Sequence, residues 1–147
     1  MRTILLATVL ATSSLAFGTG YSADSVAGEG AGAAYAQVCI RNTGVGHAMG
    51  LRTQWGVGDN WHRVVLGCGT EMIYRLNWSE VKPEVRLSVR YQSAPGSREV
   101  TTQVLSPKWT AAKVDNCKDS PSFEFVKATN ERGEVIYTLT PVQPEQE

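Results

Sequence analysis

Two histidines, an aspartate and a cysteine are the side chains of this sequence best suited to holding a metal ion. His47, Asp59, His62 and Cys68 all lie in the first half of the chain. Imidazole, carboxylate and thiolate groups are the ligands that zinc prefers in proteins. Their spacing matches no recognised zinc motif, so the sequence predicts no metal centre here.

A second cluster of candidate ligands lies in the polar loop "VDNCKDSP". Asp115 and Asp119 could together contact a Ca²⁺ ion, because carboxylate oxygens are its usual ligands. A solvated turn explains the same residues without a ligand, and we expect that simpler structure.

An enzyme would need a nucleophile or a metal together with a base. The motifs H-E-x-x-H, G-x-S-x-G and C-x-x-C are all absent from the sequence. A small secreted hydrolase or metal-dependent enzyme that uses His47 and His62 stays open as an alternative. The sequence favours a protein with no catalytic residues, no metal and no cofactor.

Two tryptophans flank a glycine-rich loop in "LRTQWGVGDNWHRVVLGCG". If residues 56–60 close a hairpin, Trp55 and Trp61 fall opposite each other, and such a pair stabilises a hairpin by about 0.5–1 kcal/mol. Packing of this kind accounts for most of the segment. The alternative is an exposed aromatic platform for sugar rings, formed by Trp55 and Trp61 with His62 beside them.

Three cysteines leave one without an intramolecular partner. Export would make disulfides the first expectation. We predict a Cys39–Cys117 disulfide, since both residues flank segments that must meet if the first and last strands share a sandwich. Cys68 would then be a free thiol or would form a disulfide dimer with a second molecule.

Alternation of apolar and polar residues predicts short β-strands. In "VRLSVRY", Leu87, Val89 and Tyr91 point to one face, while Arg86 and Arg90 point to a solvated basic face. Similar alternation and frequent turns elsewhere predict an antiparallel β-sandwich of about eight or nine strands with no substantial helix. On the first of these strands, "AQVCIR", the pattern places Gln37 and Cys39 outward.

The ends of the chain differ in composition from its middle. Residues 1–23 combine a basic start, an apolar segment and small residues typical of a signal peptide cleaved between 16 and 23. A Gly/Ala-rich linker is predicted over 24–34, the folded domain over 35–141 and a disordered tail over 142–147. The protein is therefore predicted to be secreted or periplasmic, with no stable membrane insertion.

The charged residues balance, with 14 basic and 14 acidic side chains. No block of like charge occurs, which argues against nucleic acid as a partner. The sequence favours a secreted, non-catalytic domain that acts through surface interaction with a protein or a glycan. A purely structural extracellular domain is the second alternative. "NWS" at Asn77 fits a glycosylation sequon, which matters only in a eukaryotic source.

Overall fold

Nine β-strands and no helix make up the part of the chain described by the computed structural model, residues 32–143. This confirms the predicted all-β fold. No helix in these residues could span a membrane. The strands are β1 (Ala34–Asn42), β2 (Met49–Trp55), β3 (His62–Leu66), β4 (Thr70–Trp78), β5 (Leu87–Tyr91), β6 (Thr101–Leu105), β7 (Lys108–Thr110), β8 (Ser122–Thr129) and β9 (Val135–Pro141).

The strands form two sheets. One has four strands in the order β3-β2-β5-β6, and all of its pairs are antiparallel. The other has the order β4-β1-β8-β9, with β7 pairing the first part of β1. Strands β1 and β8 run parallel, so the second sheet is mixed rather than wholly antiparallel. The long connection between these two strands gives the chain room to return in the same direction.

The core lies between the inner faces of the two sheets. Tyr91 from the four-stranded sheet packs edge-on against Phe125 from the other sheet, with ring centroids 5.0 Å apart. The predicted inward residues of β5, Leu87 and Val89, are fully buried there. The two strand faces therefore follow the hydrophobic alternation of the sequence.

Strand β1 is the exception, because it is buried on both faces. Gln37 and Cys39 were predicted to point to solvent, but both are completely buried. The segment 111–121 crosses their face, and the Val114 N–H donates to Gln37 Oε1 at 2.9 Å. Gln37 Nε2 donates in turn to Thr110 Oγ1 at 2.6 Å. The prediction was wrong because strand alternation carries no information about a covering loop.

The Cys39–Cys117 disulfide fixes this crossing segment to β1 and confirms the predicted pairing. The two Cα atoms lie 5.4 Å apart, within the usual range for a disulfide. Beside it, the Cys39 N–H donates to the Pro121 carbonyl at 2.8 Å.

A buried asparagine at the end of β1 holds two loops together. Asn42 Nδ2 contacts the carbonyl oxygens of His47, Leu66 and Gly67 at 2.8, 3.1 and 3.2 Å. The loop between β1 and β2 is therefore tied to the end of β3, which positions His47 at one end of the four-stranded sheet.

The predicted signal peptide, 1–23, lies outside the described residues, as do 24–31 of the predicted linker and 144–147 of the predicted tail. Within the described residues, the first strand begins at Ala34 and the last ends at Pro141.

Candidate functional site

Three arginines lie side by side across the outer face of the four-stranded sheet. Arg63 on β3 pairs in register with Arg52 on β2, and Arg52 pairs with Arg90 on β5. Neighbouring strands are about 4.8 Å apart, so the three side chains leave the sheet within about 10 Å. We call Arg63, Arg52 and Arg90 the arginine row.

The three members of the arginine row have different surroundings. Arg52 Nε lies 2.8 Å from a carboxylate oxygen of Glu99. The Arg90 guanidinium lies over the Trp61 ring, 4.0 Å from its centroid. Arg63 is exposed and has neither an ion pair nor a side-chain hydrogen bond within residues 32–143. One carboxylate thus faces three guanidinium groups.

This arrangement works against the stability of the isolated sheet. Like charges directly opposite on neighbouring strands destabilise a sheet. The Arg52–Glu99 pair offsets little of this, because its side chains are 44% and 22% exposed and surface ion pairs contribute about 0–1 kcal/mol. The row therefore leaves an excess of positive charge that an anion would neutralise.

A cleft of about 430 Å³ borders the arginine row at the end of the sheet where β2 begins and β5 ends. This volume is within the range of small-ligand sites. Its lining residues come from the β1–β2 loop, strands β2, β3 and β9, and the β5–β6 segment: His47, Ala48, Met49, Gly50, Arg63, Gln92, Pro95, Gly96, Glu99 and Tyr137.

Gly50 forms part of this cleft on the outer face of β2. Its backbone is not in the left-handed region, and a Cβ added there would meet no atom within 4 Å. The strand therefore has no conformational need for glycine at this position. Glycine inside a strand often marks a close approach of a ligand or another backbone. Here it leaves open space beside Arg52.

The two predicted platform tryptophans lie on opposite faces of the sheet. Thr53 pairs with His62, so the same register places Trp61 beside Gln54 and not beside Trp55. Trp55 packs against the core, whereas Trp61 lies on the outer face under Arg90. The predicted facing pair was wrong, since the loop length shifts the register by one residue and thereby exchanges the faces.

His62, the third predicted binding residue, lies on the other face from the arginine row. Its Nε2 is 3.4 Å from Asp59 Oδ1, and its side chain is exposed. Partial burial raises the pKa of Asp59. Hydrogen bonds from the N–H groups of Trp55 and Asn60, with neighbouring His62, outweigh burial and hold that pKa below its ordinary value. Asp59 thus closes the β2–β3 turn.

The two histidines of the hydrolase alternative lie at opposite ends of strand β2. His47 precedes its first residue and packs edge-on against Tyr137, with ring centroids 5.2 Å apart. His62 pairs with Thr53 near its last residue. A single site cannot include both side chains, because the part of β2 from Met49 to Thr53 alone spans on the order of 13 Å.

Only one trio of possible metal ligands comes together within residues 32–143. It consists of Glu71 and the two cysteines Cys39 and Cys117. The sulfur atoms of these cysteines are already joined in the disulfide. The set His47, Asp59, His62 and Cys68 is not brought together.

Asp115, one of the two carboxylates considered for Ca²⁺, pairs with Arg75 Nη2 at 2.9 Å. Asp119 offers its N–H to Asn116 Oδ1 at 3.2 Å, as in a polar turn.

Cys68 is a free, exposed thiol in the turn between β3 and β4. A disulfide dimer through this residue stays a prediction, and a non-reducing gel of the purified chain would test it.

Sequence reasoning missed the arginine row, Gly50 and Glu99. The signal was present in part, since alternation already placed Arg90 on an outward face. Only the strand order and register bring Arg52 and Arg63 beside it.

Comparison with protein-family models, curated proteins and solved structures found no match to this chain.

Proposed function

We propose that this chain is an exported, non-catalytic β-sandwich domain that binds an anionic polysaccharide on the outer face of its four-stranded sheet. The observation that carries the proposal is the arginine row, in which three guanidinium groups leave one face on adjacent strands. Export is proposed from the character of residues 1–23 and places the domain where such polysaccharides occur.

Arginine suits this ligand because its planar group forms paired hydrogen bonds with carboxylate and sulfate oxygens. The strand spacing of about 4.8 Å is comparable to the length of one sugar residue. The Trp61 ring holds the Arg90 guanidinium in place, which lowers the entropy lost when an anion binds.

Polysaccharide is favoured over nucleic acid because the positive charge is confined to a small area. The whole chain has a formal net charge of zero. Protein–DNA interfaces are typically far more positive over a larger surface. A short row with one flanking aromatic ring fits a few sugar residues better.

The test is affinity electrophoresis and retention on immobilised heparin, a sulfated glycan, and on immobilised polygalacturonate, a uronate polymer, with dextran as the neutral control. We compare the wild type with the triple variant Arg52→Gln, Arg63→Gln, Arg90→Gln. The matched control carries Lys118→Gln, Lys127→Gln and Arg132→Gln. These residues are exposed outside the row, and the control has the same change in charge.

The wild type and the control should bind at least one acidic polymer, and added salt should weaken this binding. No variant should bind dextran. The row variant should lose at least tenfold in affinity, since hydrogen bonds to charged groups contribute about 1.5–3 kcal/mol each. An equal loss of affinity in the row variant and the control would show that binding depends on the overall charge and not on the arginine row, which would contradict the proposal. Absence of binding to both acidic polymers, as a purely structural domain predicts, would also contradict it.

A further inference from the structure

The cleft beside Gly50 makes the two ends of the outer face of the four-stranded sheet different from each other. Gly50, Arg52 and Gln54 follow one another on this face of β2, in steps of about 6.6 Å. The cleft lies at one end of this line and Trp61 pairs beside Gln54 at the other. The arginine row crosses between them.

From these positions we infer that the domain binds the end of an anionic polysaccharide chain, with the terminal sugar in the Gly50 cleft and the next residues over the arginine row. The inference rests on the proposed function and adds to it the part of the polymer that is recognised. The alternative is a chain interior that lies across the strands, along the arginine row itself.

The position of the loops supports a chain end. His47 and Ala48 precede β2, and Pro95 and Gly96 belong to the segment between β5 and β6. Both pairs line the cleft on the side away from Arg52. A ligand that fills the cleft therefore has these loop residues on one side and the arginine row on the other. A polymer that continued along the direction of β2 would meet those loop residues.

The lining groups match a single acidic sugar. Arg63 reaches both the cleft and the row, and no carboxylate pairs with it in the described chain. Glu99 is already paired with Arg52 at 2.8 Å. Gln92 can donate and accept hydrogen bonds with the hydroxyl groups of a sugar. The cleft is thus polar with one uncompensated positive charge.

Open space at Gly50 is what admits the sugar, so the substitution Gly50→Leu is the direct test. A Cβ at this position meets nothing within 4 Å, so the variant should fold normally while its side chain fills the cleft. Val104→Leu is the matched control. Val104 is an exposed residue on the outer face of β6, outside the cleft.

The experiment measures affinity and stoichiometry by isothermal titration calorimetry. The probes are galacturonate oligomers of two defined lengths, one short and one long, with heparin oligosaccharides of matching lengths as the sulfated arm. End binding predicts one domain per chain for both lengths in the arm that binds. Gly50→Leu should lower the affinity for the short oligomer at least tenfold and leave the melting temperature unchanged. Val104→Leu should leave the affinity unchanged.

Stoichiometry that rises with chain length, together with unchanged affinity in Gly50→Leu, would overturn end binding and leave the proposed function intact. Absence of any acidic oligomer or polymer binding in the wild type would overturn both. A tenfold loss in Gly50→Leu with the row variant unaffected would contradict both the proposed function and end binding, because Arg63 belongs to the cleft as well as to the arginine row.

Discussion

Two buried tyrosines, Tyr74 and Tyr91, offer a matched test of how this core treats polar groups. The Tyr91 hydroxyl oxygen accepts the N–H of Leu139 at 3.2 Å. The Tyr74 hydroxyl is buried and has no hydrogen-bond partner within residues 32–143. Replacing each by phenylalanine removes one oxygen atom and keeps the ring, so the two variants differ only in what the hydroxyl contacted.

The two variants should change the free energy of unfolding differently. Tyr91→Phe leaves the Leu139 N–H buried without an acceptor, which costs about 1–3 kcal/mol. Tyr74→Phe removes an unpaired hydroxyl and leaves no partner behind, so the free energy of unfolding should stay level or rise by about 1 kcal/mol. The two variants should therefore differ in their free energies of unfolding by about 1–4 kcal/mol.

The pH dependence gives an independent readout. Burial raises the pKa of Tyr74 from its ordinary value of 10.0 to about 12. Below pH 10 both the folded and the unfolded chain keep this proton. Between about pH 10 and pH 12 only the unfolded chain loses it, so stability falls by about 1.4 kcal/mol per pH unit over that range. Tyr74→Phe should lack this contribution to the alkaline loss.

The assay is urea unfolding followed by circular dichroism at neutral pH, near pH 9 and near pH 11. All variants carry Cys68→Ser, so that the exposed thiol cannot exchange with the disulfide at high pH. If Tyr74→Phe loses as much stability as Tyr91→Phe, Tyr74 has a partner and the reasoning is refuted. An unchanged alkaline loss in Tyr74→Phe would refute the assignment of the raised pKa.

Three further predictions concern the disulfide, the β2–β3 turn and the two tryptophans. Replacing Cys39 and Cys117 by Ala should cost about 4.5 kcal/mol of unfolding free energy in urea, because the disulfide spans a sequence separation of 78. Asp59→Asn should weaken the loss of stability in acid, measured by unfolding below about pH 4. The lowered pKa of Asp59 contributes stability that is present above its ordinary 3.8 and is lost as pH falls through the folded value. Trp55→Ala should destabilise the fold by about 2 kcal/mol and Trp61→Ala by less than about 1, compared by thermal unfolding, because only Trp55 packs against the core.

The sequence predicted what depends on one face of one strand. Leu87, Val89 and Tyr91 alternate with polar residues, and all three are buried. Alternation succeeds there because a strand with one face in the core must place apolar side chains at every second position. The Cys39–Cys117 pairing was also predicted, because both residues flank segments that must meet if the first and last strands share a sandwich.

The errors arise where a second segment decides the outcome. Gln37 is buried by a loop that crosses β1, and its burial depends on the partners Thr110 and Val114, far away in the sequence. The relation of Trp55 to Trp61 depends on hairpin register, which a change of one residue in the loop reverses. Neither the covering loop nor the register is encoded in the local alternation.

The arginine row shows why a balanced composition does not exclude a basic sheet face. No cluster of like charge is visible along the chain, because Arg52, Arg63 and Arg90 are well separated in the sequence. In a sheet, however, the neighbours of a residue are set by strand order, and residues far apart in sequence can leave one face within about 10 Å. The absence of a charge block in a β-protein therefore argues only against basic tails and loops. Testing for a basic sheet face requires first pairing the strands and then comparing the outward residues row by row.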